Sequence, residues 1–166
     1  MAIKSMHDLL VDSVKDIYYA EKQVLKTMPR MIKKISSNNV KKAFEQHSKE
    51  TEKQIARLEK VFKELNMTPK AKKCPAIDGI IQEGKEVMDE ISDPNVMDAA
   101  VIGFAQKIEH YEITSYGTAR TFANHLGMNK LASLLQNTLD EEYATDDKLT
   151  QMAQSEVNVE AVEASA

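Results

Sequence analysis

The sequence predicts an all-α protein: four long amphipathic helices in a bundle, with a short extra helix on a long crossover between its two halves. Three observations predict it. Apolar residues recur at steps of three and four over stretches much longer than a strand. Chain breakers are few, 5 Gly and 4 Pro in 166 residues, and Pro69, Pro75, Pro94 and Gly127 stand where that periodicity stops. Between them the chain is rich in Lys, Glu, Ala, Leu and Met, residues that lose little side-chain freedom in a helix.

From Met6 to Ile35 the residues Leu10, Val14, Ile17, Val24, Met28, Met31 and Ile35 lie on one helical face. Pro29 interrupts it and is expected to kink the helix or to end its regular hydrogen bonding near Leu25. Ser36, Ser37, Asn38 and Asn39 form a turn, with Asn39 a candidate cap for the next helix. That second helix runs from Val40 to Leu65, with Val40, Phe44, Leu58, Val61, Phe62 and Leu65 facing inward. Asn66 to Pro75 is a loop bounded by Pro69 and Pro75. Ala76 to Ile91 then makes the short helix, apolar at Ile77, Ile80, Ile81, Val87, Met88 and Ile91.

Asp93 and Pro94 suit a cap and a first helical position. The third long helix continues to Leu126 through Val101, Ala105, Ile108, Ala119 and Phe122, and Gly127 stops it. The fourth runs from Asn129 to Met152 through Leu131, Leu135, Leu139 and Leu149. Residues 1–154 make one bundle domain; residues 155–166, small, acidic and weakly periodic, are expected to be a frayed or disordered tail. Two tight helical hairpins joined by one long crossover are the ferritin-like form of the four-helix bundle.

Composition narrows the function. A formal net charge of −4, with both signs mixed along the chain, lacks the basic face that nucleic acid requires. No apolar run approaches the roughly 20 residues that span a bilayer. The first residues are too polar for a secretory signal peptide, and the single cysteine, Cys74, has no partner for an internal disulfide. A cytoplasmic protein is the expectation.

The informative positions are those where the apolar stripe breaks. The first helix carries Glu21 where an aliphatic belongs. The second passes through His47, Thr51 and Gln54, with Glu50 beside them. The third carries Glu112, with Glu109 one turn away, and the fourth carries Glu142 and Asp146. One polar residue on a stripe is usually a register device or an edge side chain. Four helices sharing the fault is different, because buried carboxylates must protonate, pair or bind cations.

Counting along the helices shows that the faults meet. Glu21 lies 17 residues before Asn38, while His47, Glu50 and Gln54 lie 9, 12 and 16 after it. Glu112 and Glu109 lie 16 and 19 residues before Met128; Glu142 and Asp146 lie 14 and 18 after it. At about 1.5 Å per residue, most fall within roughly one and a half turns of a common level, with His47 the outlier. Carboxylates with one imidazole suit iron or manganese better than a structural zinc, which favours Cys and His. Glu109 and Glu112, at i and i+3, point the same way, so one could bridge two metals about 3.5–4 Å apart while the other chelates one.

At these residues the chain resembles the YciF-like family of bacterial stress-associated ferritin-like proteins, over about Met6 to Met152. The resemblance rests on Asp16-Ile-Tyr-Tyr-Ala-Glu-Lys-Gln, Phe44-Glu-Gln-His-Ser-Lys-Glu-Thr, Gln106-Lys-Ile-Glu-His-Tyr-Glu-Ile-Thr-Ser-Tyr-Gly and Thr138-Leu-Asp-Glu-Glu-Tyr-Ala-Thr-Asp. It implies a ferritin-like fold, homodimers and rubrerythrin-like relatives, and no settled enzyme activity. By analogy with di-iron relatives it implies Glu21, Glu50, Glu109, Glu112 and Glu142 as ligands. The Glu-x-x-His of such sites is absent: the second helix has His47-x-x-Glu50 and the fourth Glu142-x-x-x-Asp146. No Cys₄ electron-donor module is present.

The expectation is therefore two metal ions per chain, iron or else manganese, held by Glu21, His47, Glu50, Glu109, Glu112, Glu142 and Asp146, and a reaction with peroxide or oxygen during stress. The rivals are a binding protein whose metal only locks the bundle and, further off, iron storage. His47 is equally readable as a ligand, a partner of a ligand or a surface imidazole. His110 is expected at the surface or in a dimer contact, and His7 and His125 at helix ends. Tyr18, Tyr111, Tyr116 and Tyr143 are read as amphipathic edge residues, the methionines as core filler. Lys72 and Lys73 immediately precede Cys74, and their charge is expected to favour its thiolate.

Overall fold

The computed structural model describes residues 3–164. The order is α1 (Met6–Lys34), α2 (Asn38–Glu64), α3 (Pro75–Glu90), α4 (Pro94–His125) and α5 (Asn129–Met152), followed by a π-helical turn (Ala153–Val157) and α6 (Asn158–Ala164). The four long helices, α1, α2, α4 and α5, form a square in which α1 packs on α2 and α4, and α5 on α2 and α4. α3 climbs the crossover and lies against α1 and α4. This is the ferritin-like four-helix bundle that the hairpin-crossover-hairpin pattern predicts.

Local chemistry sets the boundaries. The Ser5 hydroxyl accepts from the Asp8 amide at the start of α1. The α2 cap is Ser37 rather than Asn39: its hydroxyl accepts from the Val40 amide, and the helix starts at Asn38. Asp93 caps α4 by accepting from the Asn95 and Val96 amides at 2.8 and 3.0 Å, ahead of Pro94 at the first position. Gly127, at φ +70°, ends that helix, and Asn66, at φ +54°, does the same after α2. α1 runs through Pro29 without a break in its helical span.

Asp98, near the start of α4, is buried and joins the two hairpins. It accepts from the Ser36 amide and hydroxyl at 2.7 and 2.6 Å and from the Ser37 amide at 2.7 Å. The crossover is held elsewhere by close approach. A Cβ on Gly84 of α3 would sit 2.2 Å from the Phe104 ring of α4, so only glycine lets these helices touch.

The chain from Ser155 is not the frayed tail its composition suggests. Val157 is buried in the core, α6 packs on α4, and the Glu156 carboxylate accepts from Asn39 and Ser37. One well-placed valine and one carboxylate dock the segment, which weak periodicity does not reveal. Residues 165 and 166 of the expected tail lie outside the described residues. Among the described residues no helix is long and apolar enough to cross a membrane.

The core is in two parts. One cluster takes Val24, Met28 and Met31 of α1, Phe44 of α2, Val101 and Ile108 of α4 and Leu149 of α5. The other takes Leu10, Val14 and Ile17 of α1, Leu58 and Phe62 of α2, Tyr116 of α4, and Leu135 and Leu139 of α5. Along every long helix the switch from one cluster to the other falls at a buried polar residue. These are Glu21, then His47, Thr51 and Gln54, then Glu109 and Glu112, then Thr138 and Glu142.

Candidate functional site

That polar layer is the candidate site. Glu109 and Glu112 lie three residues apart on α4, so both project from one face. Glu142 meets them from α5. Each of the three offers a carboxylate oxygen within 4.8 Å of the others, and all three are buried. Glu21 of α1 is 1% exposed and accepts a hydrogen bond from the Tyr116 hydroxyl. From α2, His47 brings its Nε2 to 3.2 Å from Glu109 Oε1, an ion-pair contact that leaves neither ring nitrogen with a well-formed hydrogen bond. The α2 residue that counting places farthest from the common level is thus beside it.

The oxygens are under-satisfied. Glu21 Oε2, Glu109 Oε2, Glu112 Oε1 and both oxygens of Glu142 are buried without a hydrogen-bond partner. Protein interiors seldom tolerate such groups, since each costs about 1–3 kcal/mol, and more when charged. The titration of these groups reflects their crowding. Burial, opposed by the Tyr116 hydrogen bond, pushes Glu21 up to about 7. Burial and the neighbouring Glu21 and Glu109 raise Glu112 well above the usual carboxylate range. Burial and Glu112, Glu109 and Glu21 do the same to Glu142. Burial works against a charged His47, but Glu109, with Glu21 and Glu50 behind it, outweighs burial and raises the imidazole. Closely packed carboxylates with open lone pairs can hold protons or cations, and those are their two chemical options.

Two sequence candidates are placed apart from this cluster. Glu50 is half-buried beside His47, accepts from Gln46 at 2.9 Å, and lines a cavity that reaches Glu109. Asp146 turns away altogether: it accepts from Gln106 and pairs with the exposed His110 at 3.1 Å. Four residues advance a helix by one turn and about 40° more, which carries Asp146 from the layer onto the flank of α4.

The surroundings add residues that the stripe alone does not single out. Tyr116 is fully buried and bonded to Glu21, which corrects its assignment to an amphipathic edge; Tyr143 is exposed. Gln54 and the Arg57 guanidinium hold Glu141, Arg57 through bonds of 2.8 Å to each oxygen, and Arg57 also donates to Thr138. Cys74 is buried, its sulfur 3.0 Å from the Tyr111 hydroxyl, which donates to Asp16. The lysines beside it are engaged with Asp12 and Asp78 instead.

A four-helix bundle whose core is divided by a layer of buried carboxylates defines the class, ferritin-like. The chain matches the model of a domain of unknown function, DUF892, over residues 5–162, and it belongs to that family, the YciF-like proteins. It is 43% identical over 162 residues to Protein YciF of Escherichia coli K12, covering 97% of this chain and 98% of that one. The crystal structure of that E. coli protein, described as a stress protein, superposes with a TM-score of 0.89 at 42% identity over 94% of this chain and 99% of the other. YcfI of Rhodopseudomonas palustris, described provisionally as a structural protein, superposes with a TM-score of 0.88 at 44% identity over 89% and 94%. A Xanthomonas campestris protein shares the fold, with a TM-score of 0.78 at 21% identity over 98% and 100%.

Proposed function

We propose that the polar layer holds a pair of metal ions, iron in the first instance and manganese as the alternative, and that the loaded centre reacts with peroxide or oxygen during stress. The observation that carries this is the convergence of Glu109, Glu112 and Glu142 with buried, unpartnered oxygens aimed at one another. Glu109, Glu112 and Glu142 would be ligands, with Glu21 Oε2 free to join them and His47 a nitrogen donor in reach. Two Fe(II) held there would supply two electrons to hydrogen peroxide, whose O–O bond breaks with uptake of two protons to give two waters. The chain's own residues exclude bulk water and keep Glu21 oriented through Tyr116. The stress-protein description of the E. coli relative agrees with this role, and a cytoplasmic homodimer is the setting we infer.

A second reading is supported by the divided core. A metal there would tie the two hydrophobic clusters together, and locking the bundle could be its whole purpose. It predicts that chelation lowers the melting temperature while no turnover is found.

The test is metal content per chain, by mass spectrometry, after anaerobic reconstitution with Fe(II). Two irons per chain, and fewer in the Glu109→Ala/Glu112→Ala variant, are expected. No iron in either, and no manganese after the same treatment with Mn(II), would leave the layer a protonated polar network and end the metal reading.

A further inference from the structure

A cavity of about 40 Å³ leads from solvent between α2 and α5 to the edge of the polar layer. Gln46, Glu50, Thr145 and Lys148 stand around its mouth; Phe44, Ile108 and Leu149 make hydrocarbon walls with Met28; His47 and Glu109 close its inner end. His47 is 8% exposed, and its Nδ1 has no partner. An opening with apolar sides and an unpartnered imidazole at its end is shaped to admit a molecule and to hold it.

We propose that this cavity is the entry and holding site of a neutral two-oxygen oxidant, hydrogen peroxide or dioxygen. Size argues first. About 10–15 Å³ of such space holds one water, so the cavity takes roughly three water-sized molecules. Sites for organic ligands begin at roughly 300 Å³. Charge argues next. An anion drawn past Lys148 at the mouth still meets Glu109 at the end, and an ion of either sign must shed its water against Phe44, Ile108 and Leu149 along the way. A small neutral molecule meets neither obstacle, and at the inner end the free nitrogen of His47 offers a hydrogen bond. The chemical purpose of the route rests on the metal reading above; the route itself does not.

Its test therefore begins with the metal-free chain in hydrogen peroxide. Peroxide transfers one oxygen to a methionine sulfur, the O–O bond breaks, and water leaves. Met28 lines the cavity and is 2% exposed; Met97 is not among the residues lining it and is 8% exposed, so exposure alone would make Met97 react first. Peptide mass spectrometry should show Met28 oxidised faster. Its rate should fall roughly tenfold, the equivalent of 1.4 kcal/mol, when Ala43→Phe, at a position that also lines the cavity, fills it. Thr145→Leu, at the mouth, serves if the first variant loses its helical circular dichroism. Met28 reacting no faster than Met97, or a rate unmoved by a folded plug variant, overturns the proposal.

The iron-loaded chain gives the second arm. Slower iron oxidation in the plugged variant at unchanged metal content supports the route, and the oxidant that is slowed, peroxide or dioxygen, is the one admitted. No slowing with either, while the wild type reacts, overturns it. A chain that binds neither iron nor manganese ends the metal reading and leaves the methionine rates to decide the route.

Discussion

Tyr116 on α4 donates its phenol hydrogen to Glu21 Oε1 on α1, and the other oxygen of that carboxylate has no partner. The bond crosses the bundle between two antiparallel helices and orients Glu21 into the polar layer. Burial holds the Tyr116 hydroxyl well above its ordinary pKa, with Glu21 adding to it, so Tyr116 stays protonated and remains the donor.

Tyr116→Phe keeps the ring packing and removes only this donor. It leaves Glu21 Oε1 unsatisfied at a cost of about 1–3 kcal/mol. For a chain of this size that lowers the melting temperature by about 2–4 °C per kcal/mol, measurable by calorimetry. The lost bond also stops opposing burial, so the Glu21 carboxyl should rise further, visible in carboxyl infrared bands of the metal-free chain. A variant with wild-type stability and unshifted bands would show that the bond contributes nothing.

The metal-free chain should lose stability as pH rises. Glu21 is raised from 4.5 to about 7, and Glu112 and Glu142 are raised as well, so each is more readily protonated folded than unfolded. Such groups contribute stability that is fully present below the unfolded value and is lost as pH rises through the folded one. His47, raised too, acts in the same sense. Thermal melts of chelator-treated protein between about pH 5 and pH 8 should therefore show a falling midpoint, and bound metal should flatten the fall. A midpoint that climbs over that window would contradict the burial of these carboxylates.

Gly84→Ala sets two effects against each other. In a helix interior alanine is better than glycine by about 1 kcal/mol. The added Cβ would meet three Phe104 ring atoms at 2.2, 2.3 and 2.6 Å, and overpacking of that kind costs about 1–3 kcal/mol. The clash should win, and denaturant titration should find the variant destabilised. Phe104→Leu in the same chain should restore part of the loss; a stable single variant would refute the tight α3–α4 contact.

Most of the fold is legible in the sequence because apolar spacing reports the inward face of each helix directly. The candidate site is legible for the same reason in reverse: Glu21, Glu109, Glu112 and Glu142 are visible as interruptions of a regular pattern. Residues that act through geometry are harder to find. Tyr116 reads as an aromatic at the edge of the pattern, and nothing in spacing says that its hydroxyl reaches Glu21. Asp146 shares the stripe with Glu142, yet a small angular drift sends it to Gln106 and His110. Asp98 lies one turn before Val101 on the same stripe, but spacing does not say what it serves, because its partners Ser36 and Ser37 lie more than 60 residues earlier.

The divided core also acts as an alignment mark. Each long helix has one polar band, and all four bands must come level. Sliding any helix by a single turn, about 5.4 Å, would push a buried polar group, a carboxylate on α1, α4 and α5, into hydrocarbon and an aliphatic chain into the band. An unbroken stripe of Leu and Met would tolerate such a shift at little cost. The buried polar residues therefore single out one stagger of the four helices, and this chain has a reason to keep them before any ligand arrives.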